Sequence, residues 1–200
     1  MRRRRTGDLV EPLDKEEEAK QRQITMRTRV SLHPFLAGLD AKALSHLADC
    51  AIAAEFKPGQ IILREGEQAN RFYLIESGKV ELEAQTPDGG HVVIDTIGAG
   101  ELLGWSWMFS PYVWRFTARA SEPTRVIFFY GEILRGYCER DHTLGYELFK
   151  RMAPTMVKRM QKARETLIGV HAGTISLKPV TVRESPFMDQ ELDLPEDDDE

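Results

Sequence analysis

The spacing of apolar and polar positions changes twice along this chain. After a polar opening stretch, apolar residues first gather in His33-Pro34-Phe35-Leu36-x-Gly38-Leu39. Asp40 is placed to cap a short helix that carries Leu44 and Leu47 on one face, and this helix is expected to end by Cys50 or Ala51. From Ala53 to Phe129 the pattern becomes short runs bounded by turn residues, which predicts strands. Val80-Glu81-Leu82-Glu83-Ala84 alternates as a half-buried strand does, and Arg125-Val126-Ile127-Phe128-Phe129-Tyr130 is apolar enough for a central one. Pro58-Gly59 and Pro87-Asp88-Gly89-Gly90 supply turns, because proline presets φ and glycine permits positive φ. Evenly spaced short strands predict a mainly β domain with flanking helices, a barrel or a jelly roll.

After Gly131 the period becomes helical. Ile133, Leu134 and Tyr137 share one face of a short helix, and a longer helix is predicted from about Thr143 to Val170. Phe149, Met152, Met156, Met160, Ala163, Leu167 and Val170 recur along it at three- and four-residue steps. Pro154 removes one hydrogen bond, so a kink or local break is expected there. The stripe Met152, Met156, Met160, Ala163 and Leu167 predicts a homodimer through this helix; the alternative is that it packs back on the barrel. The chain then divides into a charged flexible tail (1–30) whose residues Glu16, Glu17, Glu18, Lys20 and Arg22 are compatible with one frayed helix, a jelly roll with short helices (31–141), the long helix (142–171) and an acidic, proline-bearing tail (172–200). There is no internal repeat.

Charge adds to this division. The net charge of -5 hides a segregation, with Arg2-Arg3-Arg4-Arg5 at one end and Glu196-Asp197-Asp198-Asp199-Glu200 at the other. Blocks of like charge at termini read as solvated tails. Cys50 and Cys138 form neither a metal spacing nor a disulfide framework, and the five histidines are scattered, so no metal ligand is assigned. No apolar export segment follows the arginines and no run is long enough to span a bilayer, so a cytoplasmic protein with no membrane partner is expected. No nucleophile elbow, phosphate-binding loop or triad is present, so no catalytic residue is assigned and no enzymatic activity expected.

A glycine framework carries the remaining signal. It runs Phe56-x-x-Gly59-x-Ile61-x-x-x-x-Gly66, Tyr73-x-Ile75-x-x-Gly78-x-Val80 and Gly98-x-Gly100-Glu101-Leu102-Leu103-Gly104. Over about residues 33–170 this resembles the cyclic nucleotide-binding domain shared by bacterial catabolite-activator/Fnr-type regulators, cyclic-nucleotide-dependent kinases and gated channels. The resemblance implies a β-jelly roll (double-stranded β-helix) followed by a long helix, with cyclic AMP or cyclic GMP held inside the barrel by a phosphate-binding cassette. There, backbone N–H groups at a short helix N-terminus face the phosphate, an arginine neutralises it and a carboxylate accepts from the ribose 2′-hydroxyl. On this chain the resemblance makes Gly100, Glu101, Leu102, Leu103 and Gly104 the start of the cassette, with Glu101 as ribose acceptor. Trp114, Arg115, Phe116 and Thr117 then follow as ligand-binding positions. Anchored on Thr117-Ala118-Arg119-Ala120, the family's arginine position falls on Trp114, and Arg115 lies one residue further on. Strand side chains alternate between faces, so a regular strand directs Trp114, Phe116, Ala118 and Ala120 into the pocket and Arg115 away. A bulge would restore Arg115.

Trp105, Trp107, Phe109, Tyr112, Trp114 and Phe116 fall within twelve residues. Such a cluster closes a barrel mouth, stacks on a purine, encloses a different apolar effector or presents a partner surface. Pro111 is expected to stop the cassette helix early, and Gln161-Lys162-Ala163-Arg164-Glu165 offers no hydroxyl before Thr166, which argues against ordinary cyclic AMP binding. The expected function is a stand-alone sensor of a small effector, a cyclic nucleotide or related ligand, that repositions the long helix and signals to an unidentified protein partner. The alternative is a degenerate module that binds no nucleotide and acts as a scaffold or interaction subunit. A transcriptional regulator needs a helix-turn-helix after the long helix, and residues 173–200 are acidic and proline-bearing, so no specific DNA binding is expected.

Overall fold

The apolar run at residues 125–130 lies in the strand around which the domain is built. In the computed structural model, which describes residues 15–85 and 90–171, there are eight strands and four α-helices. The strands are β1 (Ala51–Phe56), β2 (Ile61–Leu63), β3 (Arg71–Ser77), β4 (Lys79–Gln85), β5 (His91–Gly98), β6 (Leu102–Leu103), β7 (Thr117–Ala120) and β8 (Thr124–Tyr130). The helices are α1 (Lys15–Leu32), α2 (Ala41–Asp49), α3 (Gly131–Arg140) and α4 (His142–His171). Two antiparallel four-stranded sheets result, ordered β1-β8-β3-β6 and β2-β7-β4-β5, as expected for a jelly roll.

The first sheet is buried on both faces. Phe72, Leu74, Ile127 and Phe129 pack with Leu36, Leu47, Trp107, Leu134, Leu148 and Met152 from the helical layer. Their neighbours Tyr73, Ile75, Val126 and Phe128 point the other way and pack with Val80, Leu82, Ile97, Leu103, Trp114 and Ala118 inside the barrel. Double burial explains why β8 reads as an apolar run, since neither face needs polar residues. The cap forms as expected: the Asp40 carboxylate accepts from the Ala43 N–H at 2.7 Å.

Several sequence expectations are corrected. The frayed helix expected in the tail is helix α1, which runs to Leu32, past the tail's expected end at residue 30, and is docked on the domain. Val30 is fully buried, Arg29 Nε donates to Glu76 Oε1 at 2.8 Å, and Arg27 donates to Asp49. One deep apolar anchor plus ion pairs leaves almost no hydrophobic period, so pattern reading passes over its docking. Ile133 is exposed and Tyr137 half-buried, while Leu134 is fully buried on α3. Helix α4 continues as one helix through Pro154 without the break, its turns held on either side where Met152 is buried and Met156 packs on the core. Met152 therefore belongs to the protein's own core and not to a dimer seam, whereas Met160 and Ala163 are exposed. The buried stripe of α4 is Leu144, Leu148 and Met152. The side chain of Leu167, the residues 1–14 with Arg2–Arg5, the turn residues 86–89 and the acidic tail 172–200 lie outside the described residues.

This assignment predicts a contrast along α4. Met152→Ala, at 0 % exposure, should lower unfolding free energy by about 2–5 kcal/mol. Met160→Ala, at 67 % exposure, should stay within about 0.5 kcal/mol. Urea unfolding followed by circular dichroism measures both; equal losses would place Met160 in the fold.

Candidate functional site

The strand β6 decides where the site lies. Leu102 and Leu103 pair with Leu74 and Tyr73 of β3, so the chain stays extended past Glu101. It turns only at Gly104, whose φ is 81°, and a short 3-10 helix then runs Trp105–Met108. A cavity of about 230 Å³ opens beside this turn. Its lining includes Leu63 and Leu82 from the barrel, Leu103, Gly104, Trp105 and Ser106 from the turn, and Trp114, Arg115 and Phe116 from the bend that leads into β7. Arg159 of α4 completes it.

The predicted residues separate accordingly. Leu103, Gly104, Trp114, Arg115 and Phe116 line the cavity. Glu101 does not: its Oε2 accepts from the Gly98 N–H at 2.8 Å and its Oε1 lies 4.0 Å from Lys158 Nζ. It braces its own turn, and among the described residues no carboxylate lines the cavity where a ribose acceptor was expected. Gly100, with φ 83°, lies against Pro34, and Leu102 reaches the site through its carbonyl alone. Thr117 is likewise outside the lining, its hydroxyl accepting from the Glu65 N–H at 3.1 Å.

Regular alternation holds only from Thr117, where β7 begins: the chain bends at Arg115 and Phe116, so Arg115, which a regular strand would turn away, lines the cavity together with Trp114 and Phe116. Trp114 is buried in the barrel core, Arg115 is exposed, and Ala118 and Ala120 are buried. Trp114 exchanges backbone hydrogen bonds with the opposite loop, its N–H to Glu67 O at 2.9 Å and its carbonyl from Gly66 N–H at 3.0 Å. Its indole stands directly against Gly104, where a Cβ would lie 2.8 Å from two ring carbons. The Cα side of the turn that was expected to offer backbone amides to a phosphate is therefore packed against this ring. Arg115 sits at the cavity edge with no hydrogen bond or ion pair to any described residue.

The aromatic cluster divides among several roles. Trp105 and Phe116 line the cavity, Trp107 is buried in the helix-facing core, Tyr112 lies beneath Arg135, and Phe109 meets Phe149 of α4.

Sequence reasoning missed Arg159. Its side chain is 13 % exposed, Nη2 donates to Leu102 O at 2.8 Å, and Nε lies 3.4 Å from Asp95 Oδ2 on β5. Its guanidinium stacks over Trp105, 4.8 Å from the ring centroid. Burial pushes the Arg159 pKa below its ordinary value, while Asp95 and Glu101 oppose the shift, and Lys162 shares Asp95. One α4 residue thus touches the cassette turn, the second sheet and the cavity together. A signal was present: Arg159 follows Met152 and Met156 at helical i, i+4, i+7 spacing, a charge on the barrel-facing side.

Comparison with known proteins agrees with this architecture. Residues 53–141 match the family described as the cyclic nucleotide-binding domain. The acetyltransferase Pat of Mycolicibacterium smegmatis is 37% identical over 70 residues, which cover 35% of this chain and 21% of that protein. The CRP-like cAMP-activated global transcriptional regulator of Mycobacterium tuberculosis is 23% identical over 130 residues, covering 65% of this chain and 56% of the regulator. The chain thus spans about half of that regulator and a fifth of the acetyltransferase. A crystal structure from Geobacter metallireducens, described as a cyclic nucleotide-binding protein, superposes with a TM-score of 0.60 at 27% identity, covering 67% of this chain and 97% of that one.

The Gly104–Trp114 contact is directly testable. Gly104→Ala should destabilise by more than the about 1–3 kcal/mol of left-handed strain, because the indole must also shift. Gly59→Ala, with φ 86° and nothing within 4 Å, should show the strain alone. Thermal unfolding and tryptophan emission compare the two; equal losses would remove the close contact.

Proposed function

We propose, on the match of residues 53–141 to the cyclic nucleotide-binding domain, that this chain is a non-catalytic regulatory module that senses a small effector and reports it through α4. Arg159 is the observation that carries this reading. It ties α4 to the turn at Leu102 and Trp105 and to Asp95, so a ligand entering the cavity meets the residue that holds the helix. A ligand moves an equilibrium only by its differential affinity for two states, and contact with the holding residue is a route to such a difference.

The outward face of α4 supports a homodimer as the reporting form. Tyr146, Phe149, Val157 and Met160 are exposed large apolar residues, and the first three border an apolar groove with Ala153 and Pro154. A second copy presenting the same stripe covers both, and an isologous pairing needs no other surface. The Met152 and Met156 face remains on the barrel. A cytoplasmic setting and independence of specific DNA complete the proposal; among the described residues no helix is long and apolar enough to cross a membrane. The second reading, a scaffold or interaction module without a nucleotide, is favoured by the Trp114 indole packed against Gly104.

Two measurements test the reading. Asp95→Asn should speed amide hydrogen exchange at residues 102–108 and 157–166 together, because both are held through Arg159; a change confined to one segment would refute the coupling. Val157→Glu should convert a dimer into a monomer in light scattering at unchanged fold, and a monomeric unmutated chain would end the dimer proposal.

A further inference from the structure

The cavity recognises a chemistry different from that of a nucleotide. Its floor is Leu63, Leu82 and Leu103, its walls are the rings of Trp105, Trp114 and Phe116, and its only charged lining residues are Arg115 and Arg159. At about 230 Å³ it lies below the roughly 300–1,000 Å³ usual for drug-sized ligands. A sugar hydroxyl would find no carboxylate among the described lining residues, and the Trp114 indole stands against the Cα of Gly104. Polar groups buried without partners oppose binding.

The two arginines are not equivalent. Arg159 already has the Leu102 carbonyl, Asp95 and the Trp105 face. Arg115 is exposed at the edge and has no polar partner among the described residues. We propose that the pocket binds a small flat aromatic carboxylate, its ring system between Trp105, Trp114 and Phe116 and its acid group on the guanidinium of Arg115. This deepens the sensor reading and rests on it. The apolar body supplies burial, and the acid group pairs with a cation that stays hydrated at the edge, where a charge-assisted hydrogen bond is retained without a large desolvation cost. The ring lies beside Trp105, which the Arg159 guanidinium stacks on, so an occupied pocket bears on the same residue that holds α4.

The test titrates the full chain calorimetrically at physiological salt with naphthalene-2-carboxylate, its methyl ester and cyclic AMP, and follows hydrogen exchange in α4 with each. The acid should bind at least tenfold tighter than the ester, and cyclic AMP no better than about millimolar. Arg115→Gln, at an exposed unpartnered position, should abolish the preference for the acid and leave the affinity for the ester. Phe116→Ala should weaken acid and ester alike. Equal binding of acid and ester, a preference that survives Arg115→Gln, or no binding of the acid overturns the assignment. Cyclic AMP binding tighter than the acid with altered α4 exchange overturns the ligand class and leaves the sensor reading intact. Binding of the acid through Arg115 with unaltered α4 exchange keeps the ligand class and removes the sensor reading.

Discussion

The first sheet must be covered on both faces, and most of the architecture follows from that constraint. β8 and β3 place Ile127, Phe129, Phe72 and Leu74 toward the helices, and Val126, Phe128, Tyr73 and Ile75 toward the barrel. Exposing either row to water would forfeit about 25 cal/mol for each Å² of apolar area. The second sheet covers one row, and α1, α2, α3 and the first half of α4 cover the other. Because Leu144, Leu148 and Met152 hold α4 on this layer, its next turns are carried past β6 and the cavity edge. The position of Arg159 is therefore a consequence of packing several turns away.

At that position a single cation has three kinds of partner. A guanidinium this well buried is costly unless its donors are used, and removing one partner of such a pair typically costs more than the pair itself contributes. Arg159 meets the demand with a backbone carbonyl, a carboxylate and an indole face, each from a different part of the fold. Asp95 is shared with Lys162 from the next turn, which keeps the cluster from being a neutral isolated pair. The arrangement joins the cavity to the helix through electrostatics, while Leu144, Leu148 and Met152 hold the first half of α4 through apolar contact.

Much of this was legible in the chain itself. The period-two runs, the turn glycines, the Asp40 cap and the doubly apolar β8 specify a jelly roll with flanking helices, because each is a local preference that the fold retains. Alternation along residues 114–120 already implied that Trp114, Ala118 and Ala120 face inward, and all three are buried; Arg115, which alternation turns away from the pocket, instead lines the cavity edge, because the chain bends at residues 115–116 before β7 begins. What local preference could not supply was the length of the segment before the cassette turn. Leu102 and Leu103 continue as β6 because Tyr73 and Leu74 offer an unpaired edge, and that pairing leaves Glu101 outside the cavity and puts Trp105 at the turn. The docking of helix α1 and the place of Arg159 were hidden for a related reason. Their burial comes from partners 47 and 57 residues away in sequence, Glu76 and Leu102, and no local period encodes a partner at that distance. The sequence by itself determined the elements and the faces of the strands; only the tertiary structure decided which loop, strand and helix meet around the cavity, since hydrogen-bond pairing and ion pairing between distant segments form only when the whole chain closes on itself.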